Sequence, residues 1–138
     1  METVIVDTGP LVAYLCRDDQ DHDWTEDQFR RFQSPLITCD AVVSEAMFLL
    51  GRLQDGVRPL LGLLERSVVV PSFNLSVELK PVCQLIRRYE NMPMSLADAC
   101  LVRLAELHAR SQVFTLDADF RIYRRHGNKV IPVLMPGD

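Results

Sequence analysis

Five short apolar runs punctuate this chain without strict alternation of polar residues: Val4-Ile5-Val6, Leu36-Ile37-Thr38, Val68-Val69-Val70, Val113-Phe114-Thr115-Leu116 and the stretch from Val130 to Leu134. A strand covered on one face only would alternate apolar and polar side chains, whereas a continuous apolar run needs cover on both faces. Segments with helical periodicity lie between the runs. This alternation predicts an α/β chain folded as a three-layer α/β/α sandwich around a five-stranded parallel sheet.

Strands are expected over residues 3–6, 36–38, 68–70, 113–116 and 130–134, and helices over 10–16, 21–33, from just after Asp40 through Leu50, over 58–66, 76–89, 95–107 and 117–125. Asp40 is expected to cap the third helix. Pro71 suits a strand end, and Pro81 is tolerable only near a helix's first turn. Ser95-Leu96-Ala97-Asp98 has the serine-to-acid spacing of a capping box. With 138 residues, 48% of them hydrophobic, the chain is expected to form a single domain over 1–138.

Several classes of chemistry drop out. The apolar runs are far shorter than the roughly 18–20 residues of a membrane span, and the N-terminus carries Glu2 and Asp7 in place of a basic secretory segment, so a soluble cytoplasmic protein with no membrane partner is expected. Cysteines 16, 39, 83 and 100 form no Cys-x-x-Cys, and His22, His108 and His126 stand at no zinc-ligand spacing from them. Cys83 and Cys100, among apolar helical neighbours, read as buried reduced thiols.

The net charge of −4, taken alone, opposes nucleic-acid binding. Its distribution changes that: six of the 19 acids crowd between Asp18 and Asp27, and four more are Asp7, Glu45, Asp98 and Asp117. The remaining nine acids face 15 bases, 13 of them arginine, the residue whose fork matches phosphate. Ordinary solvated helix faces would read the same way. Arg17, Arg52, Arg87 and Arg88 are candidates for contacting a nucleic acid. The Asp18–Asp27 run is either a solvated helix start or part of a clamp or partner surface that repels nonspecific nucleic acid. Exposed apolar residues between 40 and 66 could likewise serve a partner helix, a dimer seam or the core.

In a parallel sheet with right-handed crossovers, every strand's C-terminal end and the helix start after it lie on one edge, where open α/β sheets bind ligands. Asp7 and Asp117 directly follow strands, and Glu45 and Asp98 lie near the starts of helices, so all four can face that edge. Each also has an ordinary structural reading. Asp98 could be the third residue of the capping box, Asp117 an N-cap, Asp7 an Asx-type turn residue before Pro10, and Glu45 a solvated helix residue, although Val42, Val43, Ala46 and Met47 suggest apolar surroundings. Asp119 competes with Asp117 for the fourth place, with Asp117 nearer the strand end.

The ordered set Val-Ile-Val-Asp7-Thr8-Gly-Pro-Leu, Ser44-Glu45-Ala46, Ser95-Leu96-Ala97-Asp98-Ala99 and Thr115-Leu116-Asp117-Ala118-Asp119-Phe120 resembles the PIN-domain nucleases, and among them the VapC-type ribonuclease toxins. The resemblance spans Thr3 to Leu134. It implies a five-stranded parallel sheet, a magnesium-dependent endoribonuclease site with manganese as a substitute, 5′-phosphate and 3′-hydroxyl products, a homodimer, and a small antitoxin protein as partner. It matches Asp7, Glu45, Asp98 and Asp117 to the family's acidic quartet, and Thr8 and Thr115 to its hydroxyl residues, with Asp119 in support.

That chemistry needs acids because divalent ions can activate water and offset charge on both the phosphoryl and leaving oxygens. Magnesium keeps several waters, so Asp7 and Asp98 would suffice as direct ligands, with Glu45 and Asp117 orienting water or a second ion. Crowded acids should raise one another's pKa and leave the metal-free site less stable. The alternatives are a solitary PIN nuclease in RNA processing, a phosphotransfer module, and a non-catalytic binding module. Against phosphotransfer, Asp7-Thr8-Gly9 is not the Asp-x-Asp of haloacid-dehalogenase-type enzymes, and no lysine follows the fourth strand. A non-catalytic module should lack one of the acids.

Overall fold

The computed structural model describes residues 2–137. Strands β1 (Thr3–Val6), β2 (Leu36–Thr38), β3 (Val69–Pro71), β4 (Ser111–Phe114) and β7 (Val133–Leu134) form one sheet in the order β3-β2-β1-β4-β7, every pair parallel. Helices α1 (Thr8–Leu15) and α2 (His22–Arg31) connect β1 to β2, α3 (Asp40–Leu50) and α4 (Val57–Glu65) connect β2 to β3, and α5 (Leu79–Arg88) and α6 (Leu96–Leu107) connect β3 to β4.

The chain winds outward from β1 to β3 and then returns to the other side of β1. With right-handed crossovers, this reversal sends α1–α4 to one face and α5–α6 to the other, giving the expected α/β/α sandwich. Helix packing follows, α1 against α2 and α3, and α5 against α6. The reversal also makes the β1/β4 boundary the point where the two neighbouring crossovers part, opening a crevice at the strands' C-terminal ends.

Burial explains the apolar runs. Ile5, Val6, Val69, Val113 and Phe114 are all fully buried, with Leu11, Val42, Leu50, Leu60, Leu101 and Leu104 supplying the helical side of the core. Phe114 is enclosed by Trp24, Phe29 and Phe32, with ring centroids 5.7, 5.7 and 5.5 Å away. Thus α2, although strongly polar in sequence, is held by its few aromatic residues. The four cysteines are free thiols; Cys39 and Cys100 are buried, while Cys83 is only half-buried.

Several expected boundaries shift. Helix α3 begins with Asp40 itself, so Cys39 occupies the N-cap and its side chain makes no capping bond. Helix α5 begins at Leu79 instead of 76 because Asn74 first closes a turn, its Oδ1 accepting from the Val77 amide at 3.3 Å. Pro81 then sits within the first turn, where a missing amide costs little.

The largest difference lies at 117–125. Only a single 3-10 turn, Ala118–Arg121, forms there, and it is followed by β5 (Arg124–Arg125), which pairs antiparallel with β6 (Lys129–Val130). The turn between them takes positive φ at His126 and Gly127, 51° and 84°. A hairpin competes well here because the segment lacks a sustained apolar stripe and Gly127 admits the left-handed backbone at no steric cost. Val130 therefore belongs to the hairpin, and the fifth strand of the sheet shrinks to Val133–Leu134.

Replacing Phe114 by alanine should cost about 3–5 kcal/mol, as expected for an emptied aromatic core site. Val77, 70% exposed, should tolerate alanine within about 0.5 kcal/mol. Urea denaturation of both variants checks the contrast, and equal losses would contradict the assigned core.

Candidate active site

The crevice at the β1/β4 boundary is built from backbone outward. The Asp7 amide donates to the Phe114 carbonyl at 2.9 Å, extending the β1–β4 pairing one residue beyond β1. Its carboxylate is nearly buried at 8% exposure. Oδ1 accepts from the Thr8 amide at 2.8 Å, which caps α1, and Oδ2 accepts from the Thr115 hydroxyl at 2.7 Å. Thr115 is fully buried and its Oγ1 also accepts from the Asp117 amide at 2.9 Å. One threonine thus ties the two acid-bearing strand tips together. On the other flank, Thr38 donates to the Val6 carbonyl at 2.7 Å and holds the tip of β2.

The remaining acids arrive on helices, Glu45 from the middle of α3 and Asp98 from the first turn of α6. The Thr8 hydroxyl donates to Glu45 Oε2 at 3.3 Å, bringing α3 to α1. Val42 and Ala46 are buried while Glu45 is exposed and lines the crevice, so its surroundings are wetter than its apolar neighbours suggested. Asp98 completes the capping box of α6: its Oδ2 accepts from the Ser95 amide at 3.0 Å, and Ser95 Oγ accepts from the Asp98 amide at 3.0 Å. It also lines the crevice. Capping residue and site acid are therefore compatible readings of one side chain.

Together Asp7, Glu45, Asp98 and Asp117, with Thr8, line a cavity of about 690 Å³. Asp119 is not among the lining residues. It contributes its amide, which donates to Asp117 Oδ1 at 2.9 Å. The choice between the two acids follows from backbone geometry: Asp117, the N-cap of the 3-10 turn, faces the crevice, while Asp119 lies within that turn.

Two further polar lining residues, Asp19 and Ser95, are not among the acids and hydroxyls expected there. Asp19 belongs to the acidic run, and a tight turn folds it back: its amide donates to Cys16 O at 3.1 Å and its Oδ1 accepts from the Asp21 amide at 2.8 Å. Acid density alone could not distinguish it from Asp18 or Asp23. The candidate arginines stand elsewhere among the described residues. Arg17 lines a separate cavity with Arg58 and Arg66, Arg52 lies over the Phe48 ring at 4.9 Å, and Arg88 over the Tyr89 ring at 5.3 Å.

Electrostatics mark the crevice as short of positive charge. Burial pushes the Asp7 carboxyl up to about 6, partly offset by the bonds from Thr115 and Thr8, and the charges of Asp98 and Asp117 push it further. Burial also raises Asp98, with Asp117 adding to the effect. Desolvation therefore outweighs the mutual repulsion anticipated from the sequence. Burial raises the Tyr123 phenol above its usual range, so it serves as a hydrogen-bond donor at neutral pH.

Among the described residues, no three carboxylate, histidine or cysteine side chains close into a ready cage for a metal. An open ring of carboxylate oxygens without nitrogen or sulfur nevertheless suits a hard divalent ion, which takes one or two carboxylates and keeps its waters.

An acid whose folded pKa is raised loses its proton earlier in the unfolded chain, so its burial weakens the fold as pH climbs from about 4 to about 6 and the full penalty persists above. Asp7→Asn should therefore stabilise the metal-free protein at pH 7.5, by on the order of 1–3 kcal/mol, and give no gain below pH 4. Thermal melts at the two pH values test this; a variant less stable than the parent at pH 7.5 would contradict it.

Comparison with known proteins agrees with this architecture. A family model described as PIN domain matches residues 4–125. The chain is 25% identical to Ribonuclease VapC26 of Mycobacterium tuberculosis (strain ATCC 25618 / H37Rv) over 134 residues, which cover 94% of this chain and 93% of that protein. Its fold is similar to the crystal structure of Mycobacterium tuberculosis VapC20, a sarcin-ricin loop cleaving toxin, with a TM-score of 0.75 at 18% identity over 85% of this chain and 92% of the other. With its parallel five-stranded sheet and acid-lined crevice at the β1/β4 boundary, this chain belongs to the PIN domain family.

Proposed function

We propose that this protein is a metal-dependent endoribonuclease, the toxin component of a VapC-type toxin–antitoxin pair, acting in the cytoplasm as one PIN domain over residues 1–138. The observation that carries the reading is the convergence of Asp7, Glu45, Asp98 and Asp117 on one cavity. Membership of the PIN family and similarity along most of the chain to a protein named a ribonuclease support it.

Asp7 and Asp98 would hold magnesium, or manganese in its place. When bound, such an ion supplies an acidified water and neutralises charge developing on the phosphoryl group. The chain's own groups do the positioning. Thr115 and the Thr8 amide fix both oxygens of Asp7, so that its lone pairs keep one orientation. Thr8 steadies Glu45, and the Asp119 amide steadies Asp117, leaving these two carboxylates to orient the attacking water and take up its proton. Products would be a 5′-phosphate and a 3′-hydroxyl end.

RNA is the substrate class, and two protein partners accompany it: a cognate antitoxin and a second copy of the chain. Large apolar side chains left exposed on and beside α3 and α4, namely Phe48, Leu53 and Leu61, support contact surfaces of that kind.

Cleavage of RNA in magnesium should stop with EDTA and fall at least about 100-fold in Asp7→Asn, Asp98→Asn and Asp117→Asn, the scale of a lost acid–base or metal-holding group. Asp119→Asn should lose less than about tenfold, since its amide is retained. Gel assays of single turnovers measure both; a larger loss at Asp119 than at Asp117 would transfer the fourth role. Sedimentation of the purified protein should give a dimer, and a monomer at every workable concentration would remove that part of the proposal.

A further inference from the structure

Tyr123 has a place in the fold that packing alone does not explain. It is fully buried in the segment joining the 3-10 turn to β5, between the ring edges of Tyr89 at 5.1 Å and Phe120 at 5.3 Å. Both contacts are edge-on, with interplanar angles of 69° and 89°. Its backbone is anchored on both sides: the Tyr123 amide donates to Asp119 O at 3.0 Å, and the next amide, Arg124, donates to the Tyr89 hydroxyl at 2.8 Å. A ring so confined has little rotational freedom. A buried hydroxyl is costly without a partner, and phenylalanine would fill the same space without that cost.

The hydroxyl's partner is a site acid. Tyr123 donates to Asp98 Oδ2 at 3.3 Å, the same oxygen that accepts from the Ser95 amide at 3.0 Å. Among the described residues, the hydrogen bonds to the Asp98 carboxylate converge on Oδ2 and none reaches Oδ1. We propose that Tyr123 is a positioning residue for the metal site: its confined hydroxyl, together with the Ser95 amide, engages Oδ2 and so presents Oδ1 of Asp98 as the single coordinating oxygen.

This inference rests on the reading of Asp98 as a metal-holding carboxylate. The capping box alone would hold Asp98 by one backbone bond on a helix's first turn, where the side chain can still pivot about that contact. The phenol adds a second point of attachment from a different element and removes the pivot. Outer partners of this kind orient metal-holding carboxylates, and their removal typically weakens metal binding about 10- to 100-fold.

Manganese binding, followed by the loss of the free-ion signal in electron paramagnetic resonance, tests the proposal alongside RNA cleavage. Tyr123→Phe keeps the ring and removes only the hydroxyl. It should weaken manganese binding about tenfold and raise by a similar factor the metal concentration needed for half-maximal cleavage, with most of kcat restored at saturating metal. Its metal-free melting temperature should stay close to the parent's, whereas Tyr123→Leu, which also removes the ring, should lower it. In an Asp98→Asn background, adding Tyr123→Phe should weaken binding no further, because the two act as one unit. Unchanged manganese affinity in Tyr123→Phe would overturn the role, as would a loss that persists in the Asp98→Asn background. If the parent protein neither binds manganese nor cuts RNA, the reading of the site fails and this inference with it; if the parent does both and Tyr123→Phe matches it, only the role of Tyr123 is lost.

Discussion

The hydroxyl of Thr115 is the contact on which the crevice depends. It donates a hydrogen bond to Asp7 and accepts one from the Asp117 amide, fastening the tips of β1 and β4 where the sheet's winding reverses. Neighbouring strands can be paired along their length and still splay where the ladder ends. Here the ladder continues through the Asp7 amide and then through a side chain, so two acids from opposite ends of the chain meet at fixed separation. A threonine suits the place because its hydroxyl can donate and accept at once.

The acids are held at an electrostatic cost. Asp7 is buried with two hydrogen bonds to its ionised form and still has a raised pKa, which means desolvation outweighs both bonds. A site optimised for folding alone would place a neutral group there. Positive charge in the crevice would relieve the same cost. Local strain of this sort is commonly stored where binding occurs.

Several residues serve structure and site together. Asp7 caps α1, Asp98 completes the capping box of α6, and Asp117 caps the 3-10 turn. Helix starts gather at the sheet's C-terminal edge, and acids are favoured at helix starts by the dipole and the free amides. The folding rule and the chemistry therefore call for the same residue type at the same place. For that reason the acids could not be assigned one at a time, and only their arrival in one cavity separates them from ordinary caps.

The sequence by itself determined the parallel α/β architecture, because unbroken apolar runs such as Val4-Ile5-Val6 can be satisfied only by cover on both faces, and it determined which acids lie at strand ends and helix starts, because those positions are local. The PIN resemblance was legible in the order of the same short motifs. Tertiary structure alone decided the rest. It resolved 117–125 into a short turn and a hairpin, since weak apolar periodicity there left local propensity undecided; it placed Asp117 and not Asp119 in the lining of the cavity, since one caps the 3-10 turn and the other lies within it; and it brought Asp19 and Ser95 to the cavity and the Tyr123 hydroxyl to Asp98. Tyr123 lies 25 residues from Asp98 in a segment that reads as helix, and its hydroxyl reaches the acid only because the chain turns back across α6. Contacts between distant segments depend on packing, and no local pattern in this chain encodes that one.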